Sequence, residues 1–149
     1  MNFFSEVIHA MNEHKVRFMV FGGFAVNFYG FNRYTADLDI WVDPDEKNLS
    51  KLSDTITSLG YESSENLNAF LSKKAILLRL VDTNYKVDLL QKISIKKSFD
   101  DCYKDAVYSK TPFGEIHFIS YEDLIEEKSI TRRPKDLLDI KELKLVRNE

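Results

Sequence analysis

The order of apolar and polar residues predicts an α/β (α+β) fold, a mixed β-sheet flanked by helices and closed by a short helical C-terminal tail. Three observations carry that expectation. Phe18-Met19-Val20-Phe21 reads as a buried strand running into Gly22-Gly23 and an amphipathic segment with Phe24 and Phe28 one helical turn apart. Residues 37–42 alternate with period two, putting Leu38, Ile40 and Val42 on one face and Asp37, Asp39 and Trp41 on the other. Residues 75–81 and 85–90 read as consecutive strands around the turn Asp82-Thr83-Asn84.

The remaining elements follow in order. Residues 3–14 predict a helix with Phe4, Val7, Ile8 and Met11 on one face. A helix near 46–59 is closed by Gly60, and residues 98–108 carry mixed signals, a short helix running into a strand. Glu115–Ile119 reads as a short strand after Pro112-Phe113-Gly114. Ser120-Tyr121-Glu122-Asp123 has the form of a capping box with aspartate in place of the usual Glu or Gln, followed by Leu124, Ile125 and Lys128. Pro134 suits the first turn of a last helix, patterned by Leu137, Ile140 and Leu143 and carrying Asp136 and Asp139. No repeat or linker interrupts the chain, so one domain over 1–149 is expected, with 120–146 as a helical C-terminal subdomain.

Composition sets the outer bounds. A chain of 149 residues with 44% hydrophobic content can bury a core, and 30% charged residues fit a soluble protein. A formal charge of -3 argues against a dedicated nucleic-acid binder, which would be basic over its whole surface. One cysteine, Cys102, excludes an intramolecular disulfide and a cysteine-rich metal site. The N-terminal residues lack the pattern of a secretion signal, and no apolar run approaches the roughly 20 residues that span a bilayer, so a cytoplasmic protein with no membrane partner is expected. His9, His14 and His117 are not at ligand spacing, no serine lies in a nucleophile elbow, and Gly22-Gly23 lacks the third glycine of a dinucleotide fingerprint. The aromatics fit core spacings; base stacking by Tyr29, Phe31 or Tyr34 is secondary to packing.

The carboxylates carry the chemistry. Asp37 and Asp39 point the same way from one strand, and neighbouring carboxylates raise each other's pKa, a cost that a divalent cation removes. Hard oxygen ligands suit Mg²⁺ or Mn²⁺. Asp88 interrupts the apolar run 85–90 and supplies a third acidic group; the alternative for it is a salt bridge to a nearby lysine. A glycine pair at a helix start lets a phosphate approach exposed backbone N–H groups, although such pairs also serve simply as turns.

Gly22-Gly23, Asp37-Leu38-Asp39 and Asp88 together resemble the nucleotidyltransferase superfamily, whose polymerase-beta-like fold joins a strand, a Gly-Gly or Gly-Ser turn, a helix, an Asp-x-Asp strand and a later acidic strand. The resemblance covers residues 17–90, and Arg33-Tyr34-Thr35-Ala36-Asp37-Leu38-Asp39 is similar to small stand-alone members related to abortive-infection toxins and to antibiotic nucleotidyltransferases. It implies a minimal nucleotidyltransferase fold, metal ligands and catalytic groups at Asp37, Asp39 and Asp88, and nucleotide contacts from Gly22, Gly23 and Lys128. Lys128 would reach the triphosphate, whereas Gly23 stands where many relatives have a serine and offers only its N–H. Arg33 and Thr35 match the subgroup pattern, holding phosphate, acceptor or the turn itself. For Arg132, Arg133 and Lys135 a solvated face pairing with the aspartates is the expectation.

The implied reaction is in-line attack of an acceptor hydroxyl on the α-phosphorus of an NTP donor, with pyrophosphate leaving. The acceptor, a small hydroxyl compound, a protein side chain or an RNA end, is not chosen by the sequence. The alternative is a non-catalytic nucleotide-binding or protein-interaction module, such as a toxin-antitoxin partner.

Overall fold

A computed structural model of the chain describes residues 2–149. Its elements run α1 (Phe3–Glu13), β1 (Phe18–Phe21), α2 (Gly22–Phe28), β2 (Asp37–Val42), α3 (Glu46–Ser58), α4 (Glu65–Leu71), β3 (Leu77–Asp82), β4 (Tyr85–Leu90), α5 (Phe99–Tyr103), β5 (Val107–Thr111), β6 (Gly114–Phe118), α6 (Tyr121–Thr131) and α7 (Pro134–Val146). Six strands form one sheet in the order β3-β4-β2-β1-β6-β5. The β1–β6 and β2–β4 pairs are parallel and the other three antiparallel, which makes the sheet mixed, as the sequence predicts.

Local chemistry sets most boundaries. Asn2 caps α1 by accepting the Ser5 N–H at 2.9 Å, and Ser120 caps α6 by accepting the Asp123 N–H at 3.1 Å. Gly60, at φ +95°, ends the turn after α3 in the left-handed region that glycine adopts without strain. The hairpin between β3 and β4 closes on Thr83-Asn84, because Asp82 is still paired with Tyr85. The 98–108 segment resolves into α5 and β5, and β5 pairs with β6 as an antiparallel edge. One helix escaped the sequence reading: α4 starts at Ser64, whose hydroxyl accepts the Leu67 N–H, and buries Leu67 and Phe70.

The core runs from α1 through the sheet to the tail, including Ile8, Met19, Ile40 and Leu89, with Leu124 and Leu143 from the last two helices. Leu38, Ile40 and Val42 are buried as the alternation requires. Trp41 shares the strand face of Asp37 and Asp39 yet is also buried, since Phe99 of α5 covers it edge-on and its Nε1 donates to the Gln91 carbonyl at 3.2 Å.

One tail expectation needs correcting. The apolar pattern Leu137, Ile140, Leu143 does not face the core as a stripe: Leu137 and Leu138 are exposed, and α7 instead buries Asp136, Asp139 and Leu143. The cause is a set of cations waiting under the helix, described below. Among the described residues no helix is long and apolar enough to cross a membrane.

Candidate active site

Sheet register brings the acidic residues together. In the antiparallel β1–β2 ladder Asp39 pairs with Phe21, the last residue before the glycine turn. In the parallel β2–β4 ladder Asp39 pairs with Asp88, so the two carboxylates project side by side from adjacent strands. Asp37 lies two residues back on the same face. All three line a cavity of about 600 Å³, together with Gly22, Gly23, Arg33, Thr35 and Lys128. Every residue singled out from the sequence as a candidate therefore borders one space.

The glycines fit their places closely. Gly22 has φ +66°, and a Cβ there would overlap Oδ2 of Asp39. A Cβ on Gly23 would overlap the Thr35 hydroxyl. Thr35 Oγ1 thus fills the space that a side chain at residue 23 would take.

Electrostatics separates the three aspartates. Asp88 is held by Arg79, its cross-strand partner on β3, with Nε donating to Oδ1 at 2.7 Å and Nη2 to Oδ2 at 2.8 Å. The same guanidinium reaches to 3.6 Å from Asp37. Among the described residues Asp39 has no such partner, and its carboxyl is pushed up to about 6, first by burial and then by the charges of Asp88 and Asp37, which Lys135 and Lys128 only partly offset. Among the described residues no three acidic, histidine or cysteine side chains stand as a ready-made metal cage. The donor set is nonetheless suited to a hard divalent cation: carboxylate oxygens only, one of them crowded and unpaired, under a glycine that leaves its oxygen uncovered.

The fourth wall is a buried ionic network joining α6, α7 and the loop before β2. Lys128 Nζ lies 2.8 Å from Asp139 and 3.3 Å from Asp136. Arg33 grips Asp139 with Nε at 2.7 Å and Nη2 at 2.8 Å, and Arg133 donates to Asp136 through its Nε at 2.9 Å. The Thr131 hydroxyl adds a 2.7 Å bond to Asp136. Burial would raise both carboxyls, but for Asp136 the hydrogen bonds of Arg133 and Thr131, and for Asp139 those of Arg33 and Lys128, outweigh it and hold the groups below their usual range.

Sequence reasoning singled out Lys128 and Arg33 without their anionic partners, and missed Arg79. The signal for the first was on the page: Asp136 and Asp139 share a helix face with Leu143, at spacings of three and four. Arg79 is placed opposite Asp88 by strand register alone. Of the aromatics, Tyr29 is structural, its hydroxyl donating to the Ile119 carbonyl at 2.7 Å, whereas Tyr34 lies exposed at the cavity rim.

No protein-family model and no curated protein sequence matches the chain. Solved structures do. The lincosamide antibiotic adenylyltransferase LnuA, lincomycin-bound, is 17% identical with a TM-score of 0.61, over 94% of this chain and 93% of that one. ANT(2")-Ia in complex with adenylyl-2"-tobramycin is 11% identical with a TM-score of 0.59, over 94% and 84%. A provisionally assigned nucleotidyltransferase from Thermotoga maritima is 15% identical with a TM-score of 0.54, over 96% and 87%. The chain thus has the nucleotidyltransferase fold, and the resemblance carried by Gly22-Gly23, Asp37-Leu38-Asp39 and Asp88 is borne out at that level.

Proposed function

We propose that the chain is a metal-dependent nucleotidyltransferase that moves a nucleoside monophosphate from an NTP to an acceptor hydroxyl and releases pyrophosphate. The observation that carries the reading is the side-by-side placement of Asp39 and Asp88, with Asp37 on the same face, in a cavity closed by the glycine turn and Lys128. A fold shared with an adenylyltransferase supports it.

In this reading Asp37 and Asp39 hold Mg²⁺ or Mn²⁺, with Asp88 beside them. When bound, the ion neutralises charge on the triphosphate and on the departing pyrophosphate. Gly22, Gly23 and Thr35 line the same space, where the glycine N–H groups and the Thr35 hydroxyl would donate to phosphate oxygens. Lys128 and Arg33 act from beneath, fixing the wall through Asp139 and adding positive potential. Asp88 takes the proton of the acceptor hydroxyl as its oxygen bonds to the α-phosphorus and the bond to the β-phosphate bridging oxygen breaks.

The test is incubation with each α-labelled NTP, Mg²⁺ or Mn²⁺, and acceptors from three classes: small molecules, beginning with lincomycin and tobramycin, then RNA and cell-extract proteins. A labelled product formed only with the divalent cation supports the reading; saturable nucleotide binding without product in any class overturns it. One observation favours a second reading, a non-catalytic nucleotide-binding or protein-interaction module such as a toxin-antitoxin partner. Arg79 engages both oxygens of Asp88, which a retired site tolerates.

A further inference from the structure

Arg79 lies on β3, the edge strand of the sheet, where Leu78 and Leu80 are buried and Leu77 and Val81 are exposed. Its side chain therefore rises from the open face. The guanidinium holds both carboxylate oxygens of Asp88 on the neighbouring β4 and comes to 3.6 Å from Asp37 on β2. One cation thus spans two of the three acidic groups that the proposed reaction needs. It is also far freer to leave than Lys128: 45% of its side chain is exposed, against 5% for Lys128, whose two anions are wholly buried. Swinging it into solvent demands little desolvation and no change in the backbone.

We infer that Arg79 is an exchangeable counter-ion, which holds Asp88 and steadies Asp37 in the metal-free protein and gives up Asp88 when a divalent cation enters. The inference rests on the metal-dependent reading above. It accounts for three clustered carboxylates coexisting without metal although like charges at this separation repel. It also explains why they form no ready-made cage among the described residues: one of the three is turned to a guanidinium fork. A monovalent fork and a divalent ion held by Asp37 and Asp39 then compete for the charge of this acidic cluster. Removing the fork must favour the ion and disfavour the empty site.

The experiment is nucleotide-free Mn²⁺ titration followed by the EPR signal of free Mn²⁺, on the wild type, Arg79→Gln, Arg79→Lys and Asp39→Asn. Arg79→Gln should bind Mn²⁺ about three- to tenfold more tightly than wild type, the range expected for releasing a buried carboxylate from a half-exposed guanidinium, with Arg79→Lys between them. In EDTA, Arg79→Gln should melt below wild type, and saturating Mn²⁺ should raise its Tm more than it raises that of wild type. Should Arg79→Gln fail to fold, Arg79→Lys carries the same test, because it keeps the charge and loses the fork. Wild-type Mn²⁺ binding that depends on Asp39 but is equal or weaker in both Arg79 variants overturns the counter-ion role and leaves the metal-dependent reading standing. Absence of Mn²⁺ binding in every protein overturns both.

Discussion

Asp39 and Asp88 are direct partners across the parallel β2–β4 ladder, two carboxylates on neighbouring strands of which Asp88 alone has an arginine. The asymmetry gives the two residues different expected behaviour. Asp39 carries the cost of crowding, and Asp88 is poised between a structural ion pair and chemistry.

Asp39 makes the metal-free protein more stable in mild acid than at neutral pH. Its carboxyl rises from the ordinary 3.8 to about 6 on folding, so the folded chain binds the extra proton; that stabilisation is complete below about 3.8 and is lost as pH rises through about 6. Asp37, Asp88, Lys128 and Lys135 face the group. Asp136 and Asp139, held low, act in the opposite sense and only below the ordinary carboxylate range. Urea unfolding of Asp39→Asn in EDTA should show a gain of about 2–3 kcal/mol at pH 7.5 that falls to about 1 kcal/mol near pH 4.5 and vanishes toward pH 3. A pH-independent difference between the two proteins would contradict the raised carboxyl.

Lys128→Met should destabilise the chain. The resemblance implied a triphosphate contact for Lys128, but its ammonium serves Asp136 and Asp139, both wholly buried. Removing one partner of a buried ionic group costs about 3–5 kcal/mol. Thermal melts of Lys128→Met, Asp139→Asn and the double variant should show losses well short of additive. Near-wild-type stability of Lys128→Met would mean the network is not formed in solution.

Gly23→Ser should be damaging alone and partly relieved by Thr35→Ala, which removes the hydroxyl but keeps a Cβ 2.8 Å from the new one. The new side chain meets the Thr35 hydroxyl, and overpacking of this kind costs about 1–3 kcal/mol. Trimming Thr35 removes the nearer clash and returns one hydroxyl to the same region, so the double variant should recover part of the lost Tm and nucleotide affinity. Loss in the double variant equal to the sum of the single losses would show that the two residues do not share the space.

Asp88→Asn should lose transfer far more than nucleotide binding. Asp37 and Asp39 remain for the cation and the glycine turn for the phosphates, whereas the proton acceptor is gone. Isothermal titration with a non-hydrolysable NTP, beside the labelled transfer assay, separates the two effects; parallel losses would assign Asp88 to binding.

Much of the fold could be read from local pattern because the pattern is what local forces impose. The strand at 18–21, the alternation at 37–42 and the Ser120 cap follow from burial period and orphan N–H groups, both confined to a few consecutive residues. So does the glycine turn with its two nearby aspartates. Where a segment's periodicity was weak, as at 61–74 and 98–108, α4 and β5 owe their form to what they pack on or pair with.

What the sequence by itself determined is the chemical inventory: an Asp-x-Asp strand behind a glycine turn, a third acidic strand, and a basic, acidic tail. Only the tertiary structure decided which charges meet. The partners of Asp88, Arg33 and Lys128 are Arg79, Asp139 and the Asp136–Asp139 pair, reached across a strand ladder, 106 residues of chain and a helix-helix corner respectively. A charge far from its counter-charge in sequence looks solvated or available. Burial in the folded chain makes the pairing obligatory, because an ionised group away from water needs a partner and takes the one that strand register and helix packing set beside it.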